Sequence, residues 1–209
     1  MKHNFLLQMN EQDFYYTINQ SSTAEFKDKG SKFFAFTFPI EKPEDFKIQL
    51  QDLKKAHPKA VHYCFAYRIG TDGNNFRSSD DGEPSGTAGK PILGQIDSKS
   101  LTNLAVIVIR YWGGTLLGVP GLINAYKTAA ALALQVIPIT QKQVEINFII
   151  EFDYTMSNDV MIILKQFNCT VLSREMQLFC SIKAGIPKNR LQETLYRLKE
   201  LQNVTAKKN

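Results

Sequence analysis

Residues 104–109 read LAVIVI. Every position is apolar, so a strand here would be hydrophobic on both of its alternating faces. That is the pattern of a central strand covered on both sides. Arg110 follows at once, on the face shared by Val106 and Val108. A guanidinium at the end of a core strand has to be paired, because an unpaired buried charge costs several kcal/mol. The nearest rich source of carboxylate is the stretch RSSDDGEPSGTAGKPIL, residues 77–93, which offers Asp80, Asp81 and Glu83. The expectation is that Arg110 pairs with one of these three and pins the loop against RYWGG, residues 110–114.

The surrounding chain supplies layers for that strand. SKFFAFTFPI, residues 31–40, is aromatic and β-prone and stops at Pro39. EKPEDFKIQLQDLKKAHP carries Pro43 in a first helical turn and Phe46, Leu50 and Leu53 at helical spacing, and Pro58 closes it. In AVHYCFAYRIG, residues 60–70, Val61, Tyr63, Phe65, Tyr67 and Ile69 share one strand face. His62, Cys64, Ala66 and Arg68 share the other. GLINAYKTAAALAL, preceded by Pro120, reads as a small-residue helix able to pack closely on a sheet.

Near PITQKQ, residues 138–143, the pattern resets. VEINFIIEF alternates as a half-exposed strand, and SNDVMIILKQFN is a helix with Ser157 as its cap. CTVLSRE and QLFCSIKAG form a hairpin, and IPKNRLQETLYRLKELQ is a helix with Leu191, Leu195 and Leu198 on one face. The tail NVTAKKN is either a last strand or frayed. Strand, helix, strand, strand, helix is the ferredoxin-like half-pattern. The chain is therefore expected to be an α+β protein of two domains, 1–138 and 139–209.

Composition excludes more than it selects. Of 209 residues, 44% are hydrophobic and 22% charged, and the net charge is +5. That is ordinary for a globular protein and too mild to argue nucleic-acid binding by itself. The three cysteines, Cys64, Cys169 and Cys180, form no CxxC pair. FLL, residues 5–7, is broken by Gln8 and Asn10 and is too short for a signal peptide. No run approaches the roughly 20 apolar residues of a membrane span. A cytoplasmic protein without a membrane partner is expected.

The chemical candidates cluster in the loop. GTAGKP fails as a phosphate loop, since Pro84 stands where the first glycine belongs and Pro91 where Ser or Thr belongs. The carboxylates of Asp80, Asp81 and Glu83 can cap backbone amides around a turn at Asp80–Gly82, or bind a divalent cation, or act as an acid/base pair. His62 and Cys64 lie roughly 6–7 Å apart along a strand, too far for a relaxed nucleophile–base bond. With three histidines in all, no zinc set is evident. GGTLLGVPG places glycines ahead of a helix N-terminus, where they either favour an anion or let the chain turn tightly. Tyr111 and Trp112 offer a stacking platform or plain core cover.

Four segments together resemble the YigZ/IMPACT family: GSKF (30–33), AHPKAVHYCFAYRIG (56–70), SDDGEPSGTAGKPIL (79–93) and VIVIRYWGGTLLG (106–118). The resemblance implies an N-terminal domain similar to the second domain of a small-subunit ribosomal protein, a β-sheet with helices on one face. It implies a C-terminal domain similar to the ferredoxin-like domains of translation elongation factor G. Eukaryotic relatives are linked to control of translation initiation through competition for an activator of a stress-responsive kinase, and carry a different extra domain. One departure stands out: the family's glycine pair after LG-x is replaced by Pro120 and Gly121, which removes a backbone N–H that an anion site would use.

The resulting expectation is a non-enzymatic regulator or binding protein linked to translation, without a cofactor or metal, that binds RNA, a ribosome surface or a protein partner. Its binding wall would comprise His62, the loop residues Asp80, Asp81, Glu83, Thr87 and Lys90, and Arg110, Tyr111, Trp112, Gly113 and Gly114, with Lys32 from GSKF. No catalytic residue is assigned. The alternative is a metal- or phosphate-dependent hydrolase or phosphoryl-transfer enzyme using Asp80, Asp81, Glu83 and His62.

Overall fold

The computed structural model of the chain describes residues 13–177 and 179–209. The FLL run and Leu178 of the expected hairpin lie outside the described residues. Among the described residues eleven strands and five α-helices form a mixed α/β structure with several sheets, consistent with an α+β class. No described helix is long and apolar enough to cross a membrane.

The chain divides into two compact units, Tyr15–Lys142 and Gln143–Asn209, the latter with Asp13 and Phe14. The division falls at 142/143 rather than 138/139, because β7 (Ile139–Gln143) pairs with β1 (Phe14–Ile18) in a two-stranded sheet. Between them in sequence run β2 (Ser22–Asp28), β3 (Ser31–Pro39), α1 (Pro43–Ala56), β4 (His62–Ile69), β5 (Asn75–Ser79), α2 (Gly89–Ser98), β6 (Leu104–Tyr111) and α3 (Gly118–Gln135). Five of these strands form an antiparallel sheet in the order β2-β3-β6-β4-β5, so the LAVIVI strand lies in the middle.

Helices cover both faces of this sheet, which corrects the one-face arrangement implied by the family resemblance. Val106 and Val108 pack with Ile92 and Ile96 of α2 and with Ala125, Ala129 and Ala133 of α3. Ala105, Ile107 and Ile109 pack on the reverse with Phe46 and Leu53 of α1 and with Phe65 and Tyr67 of β4. A strand apolar on both faces loses that burial if either face is left bare, at about 1.5–3 kcal/mol for each large aliphatic side chain exposed. The run of alanines lets α3 approach β2 and β3 closely, and Ser22 Oγ donates to the Ala133 carbonyl at 2.8 Å. Residues 77–93 are not all loop: Arg77–Ser79 finish the edge strand β5 and Gly89–Leu93 open α2.

The second unit runs β8 (Glu145–Asp153), α4 (Ser157–Gln166), β9 (Thr170–Met176), β10 (Phe179–Pro187), α5 (Leu191–Lys199) and β11 (Thr205–Lys208). The sheet order is β11-β8-β10-β9 with every pair antiparallel, and the tail is therefore a strand. Phe148, Ile150 and Phe152 of β8 meet Val160, Ile163 and Leu164 of α4 and Leu198 of α5 in its core. Ser157 makes no capping bond, because a 3₁₀ turn at Tyr154–Met156 leads into α4 and makes Ser157 its first residue.

Candidate functional site

The β4–β6 register places His62 opposite Arg110 and Cys64 opposite Val108. Their side chains therefore share the face covered by α2 and α3. Arg110, only 6% exposed, is paired as the sequence requires. Its Nη1 donates to Glu83 Oε1 at 2.7 Å, and Tyr126 of α3 donates its hydroxyl to the same oxygen at 2.7 Å. Nη2 donates to Ser31 Oγ at 3.4 Å, and the Gly113 amide donates to that hydroxyl at 3.2 Å. The guanidinium carbon lies 5.5 Å from the centre of the Phe33 ring. Nε is buried without a hydrogen-bond partner among the described residues. Glu83 is thus the carboxylate that neutralises the strand-end charge, and the short bond is of the charge-assisted kind.

The two aspartates do different work. Asp80 accepts from the amides of Gly86 (2.8 Å), Ala88 (3.0 Å) and Gly89 (2.8 Å), at the start of α2. Burial pushes its carboxyl upward, but these amides and the nearby Lys90 charge outweigh that and hold it below the ordinary value. The Asp80 carbonyl accepts from the Glu83 amide at 2.9 Å and from the Cys64 thiol at 3.0 Å. Asp81 (φ 43°) and Gly82 (φ 89°) turn the chain through left-handed backbone. The Asp81 carboxylate accepts from the Tyr63 amide at 2.7 Å. Its carbonyl lies 2.8 Å from His62 Nδ1, and since a carbonyl only accepts, Nδ1 carries the proton. The other ring nitrogen then faces Glu83 Oε1 at 3.8 Å.

Thr87, 1% exposed, donates to the Pro84 carbonyl at 2.7 Å and closes the loop on itself. A Cβ at Gly89 would stand 2.7 Å from the Ser79 amide nitrogen, so glycine lets α2 start against the end of β5. Lys90 is exposed in the first turn of α2. Gly114 (φ 83°) turns the chain out of the strand. Burial pushes the Cys64 and Tyr126 hydrogens to be held far above their ordinary pKa values, so both remain protonated donors at neutral pH.

The expected single wall is in fact two. Strand alternation puts Arg110 on the α2/α3 side and Tyr111 on the reverse. Lys32 is in register with Tyr111. Those two residues, with Gly30, Phe34, His57 and Trp112, line a cleft of about 370 Å³. His62, Asp80, Asp81, Glu83, Thr87 and Arg110 therefore come together, with Gly113 tied in through Ser31, while Lys32, Tyr111 and Trp112 form a separate hollow.

Three participants escaped the sequence reading: Tyr126, Ser31 and His57. Tyr126 is the only aromatic residue in α3, a polar-tipped ring among alanines, and that was its available signal. Ser31 carries no sequence mark beyond its place before the aromatic strand. Among the described residues, no three His, Cys, Asp or Glu side chains are grouped so as to hold a metal ion.

Known proteins resemble the chain closely. The family model described as "Impact N-terminal domain" matches residues 29–134. An "IMPACT family member" from Haemophilus influenzae is 33% identical over 166 residues, covering 78% of this chain and 81% of that protein. "IMPACT family member YigZ" from Escherichia coli is 29% identical over 167 residues, covering 79% and 82%. A solved structure described as "Crystal structure of an hypothetical protein" superposes with a TM-score of 0.75 at 25% identity, covering 95% of this chain and 98% of that one.

Proposed function

The chain belongs to the IMPACT family, and from that premise we propose that it is a non-enzymatic regulator linked to translation, binding RNA, a ribosome surface or a protein partner. The observation that carries this reading is the internal use of the loop's carboxylates. Asp80 is engaged by three amides, Asp81 by the Tyr63 amide, and Glu83 by Arg110 and Tyr126. Side chains so committed build a fixed surface and leave few oxygens for a cation or a substrate.

The units Tyr15–Lys142 and Gln143–Asn209 are read as the ribosomal-protein-like and ferredoxin-like domains of the family. For the second unit, the antiparallel order β11-β8-β10-β9 with α4 and α5 as its helices supports that reading. Fold alone does not set function, so the test addresses binding directly. Sedimentation of the chain with ribosomes and with total RNA is measured across a salt series. Binding that weakens linearly on a log–log plot supports the nucleic-acid form of the reading. Binding to neither at low salt removes that form, and affinity capture with and without residues 143–209 then tests the protein-partner form. For the hydrolase alternative, thermal stabilisation by nucleotides or divalent ions is the check.

A further inference from the structure

We propose that the cleft between Lys32, His57, Tyr111 and Trp112 binds a nucleobase that carries a phosphate. The inference rests on the nucleic-acid form of the reading above and names its subsite. It begins with registers: Lys32 lies opposite Tyr111 on β6 and opposite Lys27 on β2, so two lysines and a phenol share one sheet face. Phe34, two residues along β3, adds its ring on that face, 5.8 Å from the Tyr111 ring centre in a T-shaped contact. His57, just past the end of α1, closes the hollow, its Nδ1 3.0 Å from the Tyr111 hydroxyl. Those two polar groups satisfy one another, which leaves a floor with little base-specific hydrogen bonding. Trp112 stands 58% exposed, an indole face with water on it.

Charge narrows the ligand. Lys27 is held by Glu25 at 3.2 Å. Lys32 has no ion-pair partner among the described residues, and none of the described residues lining the cleft carries a carboxylate. A volume of about 370 Å³ lies at the small end of ligand pockets. An aromatic hollow with one unneutralised ammonium at its rim suits a flat ring joined to an anion. Stacking accepts any base, because each has a π-face, while the lysine takes the phosphate. Proline-rich peptides also enter aromatic grooves, but offer Lys32 no anion.

Trp112 is the only tryptophan of the chain, so its fluorescence reads the cleft directly. The full chain is titrated with uridine 5′-monophosphate, a short oligouridine RNA, ribose 5-phosphate and a proline-rich peptide. The two base-containing ligands should quench saturably, and ribose 5-phosphate should not. Tighter binding of the RNA identifies a strand as the source, and equal binding a free nucleotide. Lys32→Ala, at an exposed position, should weaken binding about tenfold and lower the salt slope by about one. Trp112→Phe should retain binding when labelled RNA is followed by anisotropy, and Trp112→Ala should lose it. The proposal is overturned by an absence of saturable quenching from either base-containing ligand, by equal quenching from ribose 5-phosphate, by indifference to Lys32→Ala, or by the peptide saturating the cleft instead. RNA sedimentation that persists in both Lys32→Ala and Trp112→Ala removes the cleft and leaves the broader reading standing. Quenching by the mononucleotide without ribosome or RNA sedimentation keeps the cleft as a nucleotide site and removes only the nucleic-acid form of the broader reading.

Discussion

Gly113 crosses Gly30 so tightly that a Cβ on Gly113 would lie 1.9 Å from the Gly30 carbonyl carbon and 2.2 Å from the Ser31 amide nitrogen. Both obstacles are backbone, so no side-chain rotation relieves the clash. Gly113→Ala must push the start of β3 away from the end of β6, breaking the Gly113–Ser31 bond on the way. A loss of about 3 kcal/mol or more is expected, at the upper end for overpacking, read from denaturant unfolding. An unchanged midpoint would refute the close crossing.

Gly94 is its opposite. It lies inside α2, at an ordinary helical φ, with nothing within 4 Å of its missing Cβ. Gly94→Ala should stabilise the chain by about 0.5–1 kcal/mol through the lower entropy of the unfolded chain. A rise in unfolding midpoint in the same assay checks it.

Removing one member of a buried ion pair costs more than removing both. Arg110→Met leaves Glu83 charged, 3% exposed at its side chain, with Tyr126 as the remaining short donor. A loss of about 3–5 kcal/mol is expected, together with protease sensitivity at residues 80–88. Adding Glu83→Gln removes the stranded charge while keeping an acceptor for Tyr126, and should recover much of that loss. A double variant no more stable than Arg110→Met would show that the charge pairing is not what holds the loop.

Asp80 gives the loop a defined response to acid. Its folded carboxyl titrates below the ordinary value of 3.8, so the charged form is the one favoured by folding. Its contribution is fully present above that value and is lost as pH falls through the depressed folded pKa. The stability difference between wild type and Asp80→Asn should therefore be constant from neutral pH down to about pH 5 and shrink below pH 4. A gap that widened under acid would reverse the assigned sign.

Particular residues show what the sequence made readable. LAVIVI announced a double-faced central strand, and the alternations around Phe65 and the spacing of Phe46 and Leu53 announced the layers against it. Arg110 announced a buried carboxylate, but three candidates stood within four positions, and only the turn at Asp81–Gly82 decides which one points inward. Tyr126 joins Glu83 from 43 residues away, a distance over which local pattern carries no information. β5 and the start of α2 read as loop because an exposed edge strand, NFRSS, has no apolar period, and GKP looks like a turn. The two-walled site was latent in the alternation of Arg110 and Tyr111, since neighbours on a strand cannot face the same ligand.

The bond between Arg110 and Glu83 spans 27 residues, that between Tyr126 and Glu83 spans 43, and that between Arg110 and Ser31 spans 79. Closing three circuits of such different length around one buried charge pair is entropically unfavourable until the strands and α3 have already docked. The 80–88 loop is therefore held by two elements at once, by β6 through Arg110 and by α3 through Tyr126. A surface built on that loop is thus tied to both a strand and a helix, and loosening either one would take from Glu83 one of its two short donors.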